Sequence, residues 1–256
     1  MSKIDALNEI MLADDFASAM WSAVDSAALA ELVPETLNLR MEQDSVHKHK
    51  DVLLHTTAVT SKTEPELTIR LAALFHDVAK PQTRSFEHGG VTFRHHEVVG
   101  ARMTRKRLTE LGYPEQLVDD VTELVRLSGR FKGFTDGWSD TAVRRYARDA
   151  GHLLGKLNQL VRCDSTTRNK VKAADLQLAV DELERRIGEL ADADRRAAER
   201  PDMDGDAVMS YLGLSPGRDV GDALKFLLEL KRTEGELDRP ELERRLDAWW
   251  AARRSG

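Results

Sequence analysis

Apolar residues recur at three- and four-residue spacing along almost the whole chain, the period of helices that turn one face to a core. The period predicts a helix over 16–33, ended by Pro34, and another over 51–62, opened by Lys50 and Asp51. In SKTEPELTIR, Thr63 suits an N-cap and Pro65 sits where a first-turn proline is tolerated. A third helix is therefore expected from there through LAALFHDVAK, stopping before Pro81. FEHGGVTFRHH interrupts the pattern: Gly89-Gly90 and the β-favouring run Val91-Thr92-Phe93 predict a loop or short hairpin. Helices resume over 96–111, ended by Gly112 and Pro114, then over 115–129, 139–150, 153–167 and 170–199, the last ended by Arg200-Pro201. Shorter ones follow at 205–213, 219–234 and 240–253, with Asp204 or Asp206 of PDMDGDAV as a cap. No repeat, low-complexity segment or strand-like alternation is present, so the expected fold class is all-α. The expected division is a helical lead-in (1–45), a main helical domain (46–200) and a small C-terminal helical tail (201–256). The charged stretch 181–200 reads as a solvated helix face with i,i+4 support.

Composition narrows the class. The chain has 256 residues, 41% hydrophobic and 32% charged, which suits a globular protein with a real core. A net charge of −6 argues against a protein that coats nucleic acid, while leaving room for a local basic groove. Basic residues gather at 102–107, 144–148 and 168–172, and with aromatics at 5% there is little support for base stacking beside them. Trp249 and Trp250 read as packing or dimer residues. The single cysteine, Cys163, forms no intrachain disulfide and fits a reducing compartment. No signal peptide and no membrane-length apolar run are seen, so a cytoplasmic location is expected.

The chemistry is concentrated in histidines. Seven of the eight, His47, His49, His55, His76, His88, His95 and His96, crowd the stretch 47–96 and leave only His152 outside it. His55 shares a helix face with Val52 and Val59. His76 and Asp77 follow the apolar Leu71, Leu74 and Phe75, and an unpaired charge buried there would cost several kcal/mol. Two antiparallel helices bring His55 opposite His76 and Asp77, a common open metal site of nitrogen and oxygen donors. Asp164, beyond Leu157, Leu160 and Val161, is the candidate fourth ligand. The competing assignment pairs Asp77 with Lys80, and Asp164 with Arg162 or Arg168. His47, His49, His88 and His152 read as surface or packing residues.

The order His55, His76-Asp77, Asp164 resembles the H…HD…D pattern of the HD superfamily of metal-dependent phosphohydrolases. HKDVLLHTTAV, RLAALFHDVAKPQTR, GGVTFRHHEVVGAR, VRRYARDAG and RCDSTTRN are similar, in order, to the C-terminal half of bacterial CCA-adding tRNA nucleotidyltransferases, above all the actinobacterial type. The resemblance implies an HD helical array followed by the tail. It departs from the family in two places. No Gly-Ser…Asp-x-Asp element of the nucleotidyltransferase head is found, so CCA addition is not expected of this sequence. Where the family suggests a histidine near LVRLSGRF, Ser128 and Gly129 stand, which weakens the case for two metal ions.

The resulting expectation is a phosphohydrolase using a divalent metal ion (Mn, Ni, Co, Fe, Zn or Mg) held by His55, His76, Asp77 and Asp164, with the number of ions, one or two, left open. Its expected substrate, by the resemblance, is a nucleotide or RNA-terminal phosphoester of the 2′,3′-cyclic phosphodiesterase or phosphatase type, as in repair of RNA ends, with tRNA as a possible partner. Asp77 is also a candidate proton acceptor. Lys80, Arg84 and Arg168 are the expected phosphate contacts. His96 is a candidate phosphate ligand, general acid or second-metal ligand, and His95 a candidate contact beside it. Two alternatives stand: a nucleotide or dNTP phosphohydrolase, and a non-catalytic tRNA-binding module derived from a nucleotidyltransferase.

Overall fold

The run Ile69–Phe75 is buried at every position, which a helix reaches only when packed on all sides. A computed structural model describes residues 1–41, 51–87, 90–165 and 169–254. Among these, the chain begins with α1 (Lys3–Leu12), α2 (Phe16–Asp25), α3 (Ala28–Leu32) and a 3-10 turn at Pro34–Leu39. Next come α4 (Val52–Lys62), α5 (Leu67–Phe75), α6 (Lys80–Thr83), and the hairpin β1 (Arg84–Glu87) and β2 (Gly90–Phe93). The main array closes with α7 (His96–Leu111), α8 (Glu115–Leu127), α9 (Asp140–Ala150) and α10 (Leu154–Asp164). Short 3-10 segments at Arg130–Asp136 and Gly151–Leu153 flank α9. The rest is α11 (Lys170–Ala198), α12 (Gly205–Leu212), α13 (Arg218–Glu234) and α14 (Arg239–Arg254). The fold is all-α apart from the antiparallel hairpin, whose register pairs Arg84 with Phe93 and Ser85 with Thr92.

The chain forms two compact units, Met1–Gly188 and Glu189–Gly256. In the first, α5 is the hub: α4, α8 and α10 pack around it, and α7 lies along α8. Its core joins Phe16 and Met20 of α2 to Leu53, Ile69, Leu74, Phe75, Leu108, Leu124 and Leu157. In the second, α12 and α13 enclose Met203, Val208, Val220, Ala223, Leu227 and Leu230, closed by Leu242 and Leu246 of α14. Asp204 caps α12 as expected, accepting from the Ala207 amide at 2.8 Å.

Three elements differ from the helical pattern. Residues 16–33 do not form one helix. The chain breaks at Ser26–Ala27, where Ala27 takes a left-handed φ of 61°. That conformation costs about 1–2 kcal/mol for a residue with a Cβ, and burial of Leu29 and Leu32 offsets it. The helix expected to open at Thr63 begins at Leu67 instead. Glu66 is its N-cap, accepting from the Thr68 and Ile69 amides, while Thr63 closes α4 by donating to the Thr60 carbonyl. The same helix ends at Phe75 rather than before Pro81. Two tight turns follow, from Val78 N–H to Phe75 and from Lys80 N–H to Asp77, and Pro81 falls in the first turn of α6, where its missing N–H costs nothing. α1 lies in the expected helical lead-in but in none of the expected helix spans, although Ser2 and Asp5 form a reciprocal capping box.

Candidate metal centre

Two carboxylates stand at the carbonyl ends of two helices. Asp77 follows the end of α5, and Asp164 is the last residue of α10. Negative charge is disfavoured there by the helix dipole, so each needs a cation or donor. His55 projects from the first turn of α4, and His76 caps the end of α5. His55 Nε2 lies 3.0 Å from Asp164 Oδ1 and 3.6 Å from Asp77 Oδ2. His76 Nε2 lies 3.2 Å from Asp77 Oδ2 and 3.5 Å from Asp164 Oδ1. The facing ligand atoms of His55, His76 and Asp164 all fall within 4.8 Å of one another.

Backbone contacts aim the rings. Nδ1–H of His76 donates to the Ala73 carbonyl at 2.7 Å, which turns Nε2 toward the carboxylates. Nε2 is itself buried without a hydrogen-bond partner of proper direction. An orphaned imidazole nitrogen aimed between two carboxylates is what a metal ligand looks like before its ion is considered. The donor set, two imidazoles and two carboxylates, fits a divalent cation.

The electrostatics also call for positive charge. Burial opposes charging His76, yet Asp77 and Asp164 carry its imidazolium up to about 10. Burial would likewise raise Asp77, but His76 and then Lys80 outweigh it and hold the carboxyl far below the usual range. Against burial, His55 and His76 hold Asp164 well below its ordinary value. A divalent ion would take the place of the His76 proton, since both compete for Nε2.

Around this core, Lys80 Nζ donates to Asp77 Oδ2 at 2.7 Å and sits over the Phe93 ring. His96 opens α7 behind His95, a non-glycine residue held at φ 61°. The turn lets His96 Nδ1–H donate to the Phe93 carbonyl at 2.7 Å and leaves Nε2 3.6 Å from Asp77 Oδ1. Burial, stronger than the pull of Asp77 and Glu97, lowers the His96 pKa and keeps the ring neutral near pH 7. These side chains line a cavity of about 220 Å³ with Ser128, Gly129 and Lys132. The Asp164 side chain is 42% exposed, so the cavity opens to solvent on that side.

The structure thus brings together His55, His76, Asp77, Lys80, His96 and Asp164. Arg84 and His95 do not line this cavity: the Arg84 guanidinium lies over the Phe86 ring, and His95 is exposed. Arg168, His47, His49 and His88 lie outside the described residues. His152 bonds Asp120 at the surface. Two residues escaped sequence reasoning. Glu97 sits 3.4 Å from His96 Nδ1, and its Oε1 is 3.5 Å from Lys132 Nζ. Its position after the His-His pair was a signal; that of Lys132, on a 3-10 segment, offered none.

A profile described as the HD domain matches residues 50–198. The chain is 36% identical over 191 residues to the CC-adding tRNA nucleotidyltransferase of Thermus thermophilus, covering 73% of this chain and 41% of that protein. It is 29% identical over 265 aligned positions to the A-adding tRNA nucleotidyltransferase of Deinococcus radiodurans, covering 98% of this chain and 58% of that protein. The chain therefore spans about half the length of these curated relatives. No helix among the described residues is long and apolar enough to cross a membrane.

Proposed function

This chain belongs to the HD-domain family, and from that premise we propose that it is a metal-dependent phosphohydrolase acting on an RNA-terminal or nucleotide 2′,3′-cyclic phosphate. The observation that carries the reading is the convergence of His55, His76, Asp77 and Asp164, with His76 Nε2 buried and unpartnered among them. The relatives, a CC-adding and an A-adding tRNA nucleotidyltransferase, support an RNA substrate. Nitrogen donors favour Mn, Fe, Co, Ni or Zn over Mg.

Hydrolysis adds water across one P–O bond. The water oxygen bonds to phosphorus, one ring P–O bond opens, and the freed ribose oxygen takes a proton. A divalent ion at the four ligands would lower the pKa of water and withdraw charge from a phosphoryl oxygen. The neutral His96 presents its Nε2 lone pair to the cavity and is the better proton acceptor. Asp77, held far below the ordinary carboxylate range, is too weak a base, and its role is to hold Lys80, His76 and the ion. Lys80 and Lys132 supply positive charge to the phosphoryl oxygens. Arg84, His95 and Arg168 are proposed contacts for a longer RNA end.

The test is hydrolysis of 2′,3′-cyclic AMP with Mn, Ni, Co or Mg, comparing the native protein with Asp77→Ala. Turnover that needs the metal and falls at least 100-fold in the variant is expected, together with loss of bound ion. No turnover with any metal would overturn the cyclic-phosphate reading and favour free nucleotides, then tRNA binding without chemistry. A variant that retains its full metal content would remove Asp77 from the ligand set.

A further inference from the structure

A second cavity, of about 270 Å³, adjoins the metal centre and shares Asp164, Ser128 and Lys132 with it. Its remaining lining is Phe131, Val161 and Leu176, with Thr135 and Ser165 at polar positions. From this arrangement we infer that the second cavity is a nucleoside subsite, and that the substrate is a phosphoester carrying one nucleoside beside the scissile phosphate. The inference rests on the phosphohydrolase reading for the identity of the neighbouring phosphate. The seat itself is argued from its own lining.

The lining has two kinds of surface. Phe131, Val161 and Leu176 offer apolar area; Thr135 and Ser165 offer hydroxyls that both donate and accept, and Ser128, whose O–H is given to the Val125 carbonyl, offers an acceptor. A heteroaromatic base has the matching form, apolar faces with a polar edge. The aromatic wall is held from behind: Phe131 stacks on Phe134 at 5.4 Å, and Phe134 meets Trp138 edge-on at 5.5 Å. Size limits the occupant. The volume lies just below the range of about 300–1,000 Å³ for drug-sized ligands, room for one nucleoside and not for a base pair. Charge limits it too. A chain of phosphates needs several cations, and among the described lining residues Lys132 alone is cationic, with Asp164 on the shared wall opposing a second anion. A phosphate at Lys80 and Lys132 with its nucleoside beyond Ser128 satisfies both cavities.

The experiment uses the native protein and two variants that fill the seat without touching the metal ligands, Leu176→Trp and Thr135→Trp, each checked for native helicity. Adenosine, adenosine 3′-monophosphate and inorganic phosphate are titrated by calorimetry. Turnover is compared between 2′,3′-cyclic AMP and the base-less 1-O-methylribose 2′,3′-cyclic phosphate. Adenosine should bind the native protein and bind both variants at least tenfold more weakly, with phosphate binding unaltered. The preference in kcat/KM for the cyclic nucleotide over the base-less substrate should fall about tenfold, the scale of one lost base–aromatic contact. Adenosine binding that is absent in the native protein, or equal in the filled variants, overturns the subsite. Adenosine binding lost in the variants while the native protein turns over neither cyclic substrate leaves the subsite standing and removes the cyclic-phosphate reaction instead.

Discussion

A Cβ added at Gly129 would lie 2.0 Å from Glu97 Oε1 and 2.7 Å from its Cδ. The backbone there, φ −83° and ψ −5°, is open to any residue, so space and not conformation requires the glycine. The Glu97 side chain of α7 fills the room that a side chain at 129 would need. Gly129→Ala should push the Glu97 carboxylate aside and cost about 1 kcal/mol in urea unfolding, the low end for overpacking, because the atoms it meets first are the end of a flexible side chain. In the Glu97→Ala background the same change should cost little. Equal costs in both backgrounds would show that Glu97 does not occupy that space. The glycine was visible in the sequence as a departure from the pattern; its cause was not, because the two residues meet only through the packing of α7 against the turn after α8.

At the scale of elements, α5 organises the site by being buried on every side. Its one charged residue, Arg70, donates through Nη1 to the carbonyls of Met11 at 2.6 Å and Ala13 at 2.9 Å, tying down the end of α1. Hydrogen bonds to a charged group contribute about 1.5–3 kcal/mol each. Arg70→Met, which keeps the stem and removes the donors, should lower stability by about 2–4 kcal/mol in chemical denaturation, with first loss of protection at the amides of α1 in hydrogen exchange. An unchanged midpoint would mean that α1 is held by Leu7 and Met11 alone. The apolar run of α5 was legible, and so was the oddity of His76 and Asp77 after it. Its end was not. The stop comes six residues before Pro81, through turns that aim His76 and Asp77 into the cavity, and no single residue there is a strong helix breaker.

At the scale of the whole molecule, each unit carries a core of its own. Leu227, fully buried, is central to the core within Glu189–Gly256. Leu227→Ala should remove about 2–5 kcal/mol from that unit, read by hydrogen exchange over α12 to α14. Ion retention should stay at the native level, because His55, His76, Asp77 and Asp164 all belong to Met1–Gly188. A parallel loss of bound ion would show that the centre depends on the second core. The sequence alone determined the fold class, most helix spans and the residue types offered for the candidate metal centre, because helical period and imidazole–carboxylate chemistry are local properties of short windows. Only the tertiary structure decided that His55 meets Asp164 across 109 residues, that His96 joins them while Arg84 and His95 do not, and that segments near 128–135, 161–165 and 176 enclose a second cavity. Those outcomes depend on where helices stop and how they pack, and packing is settled by burial summed over the whole core rather than by any one window of sequence.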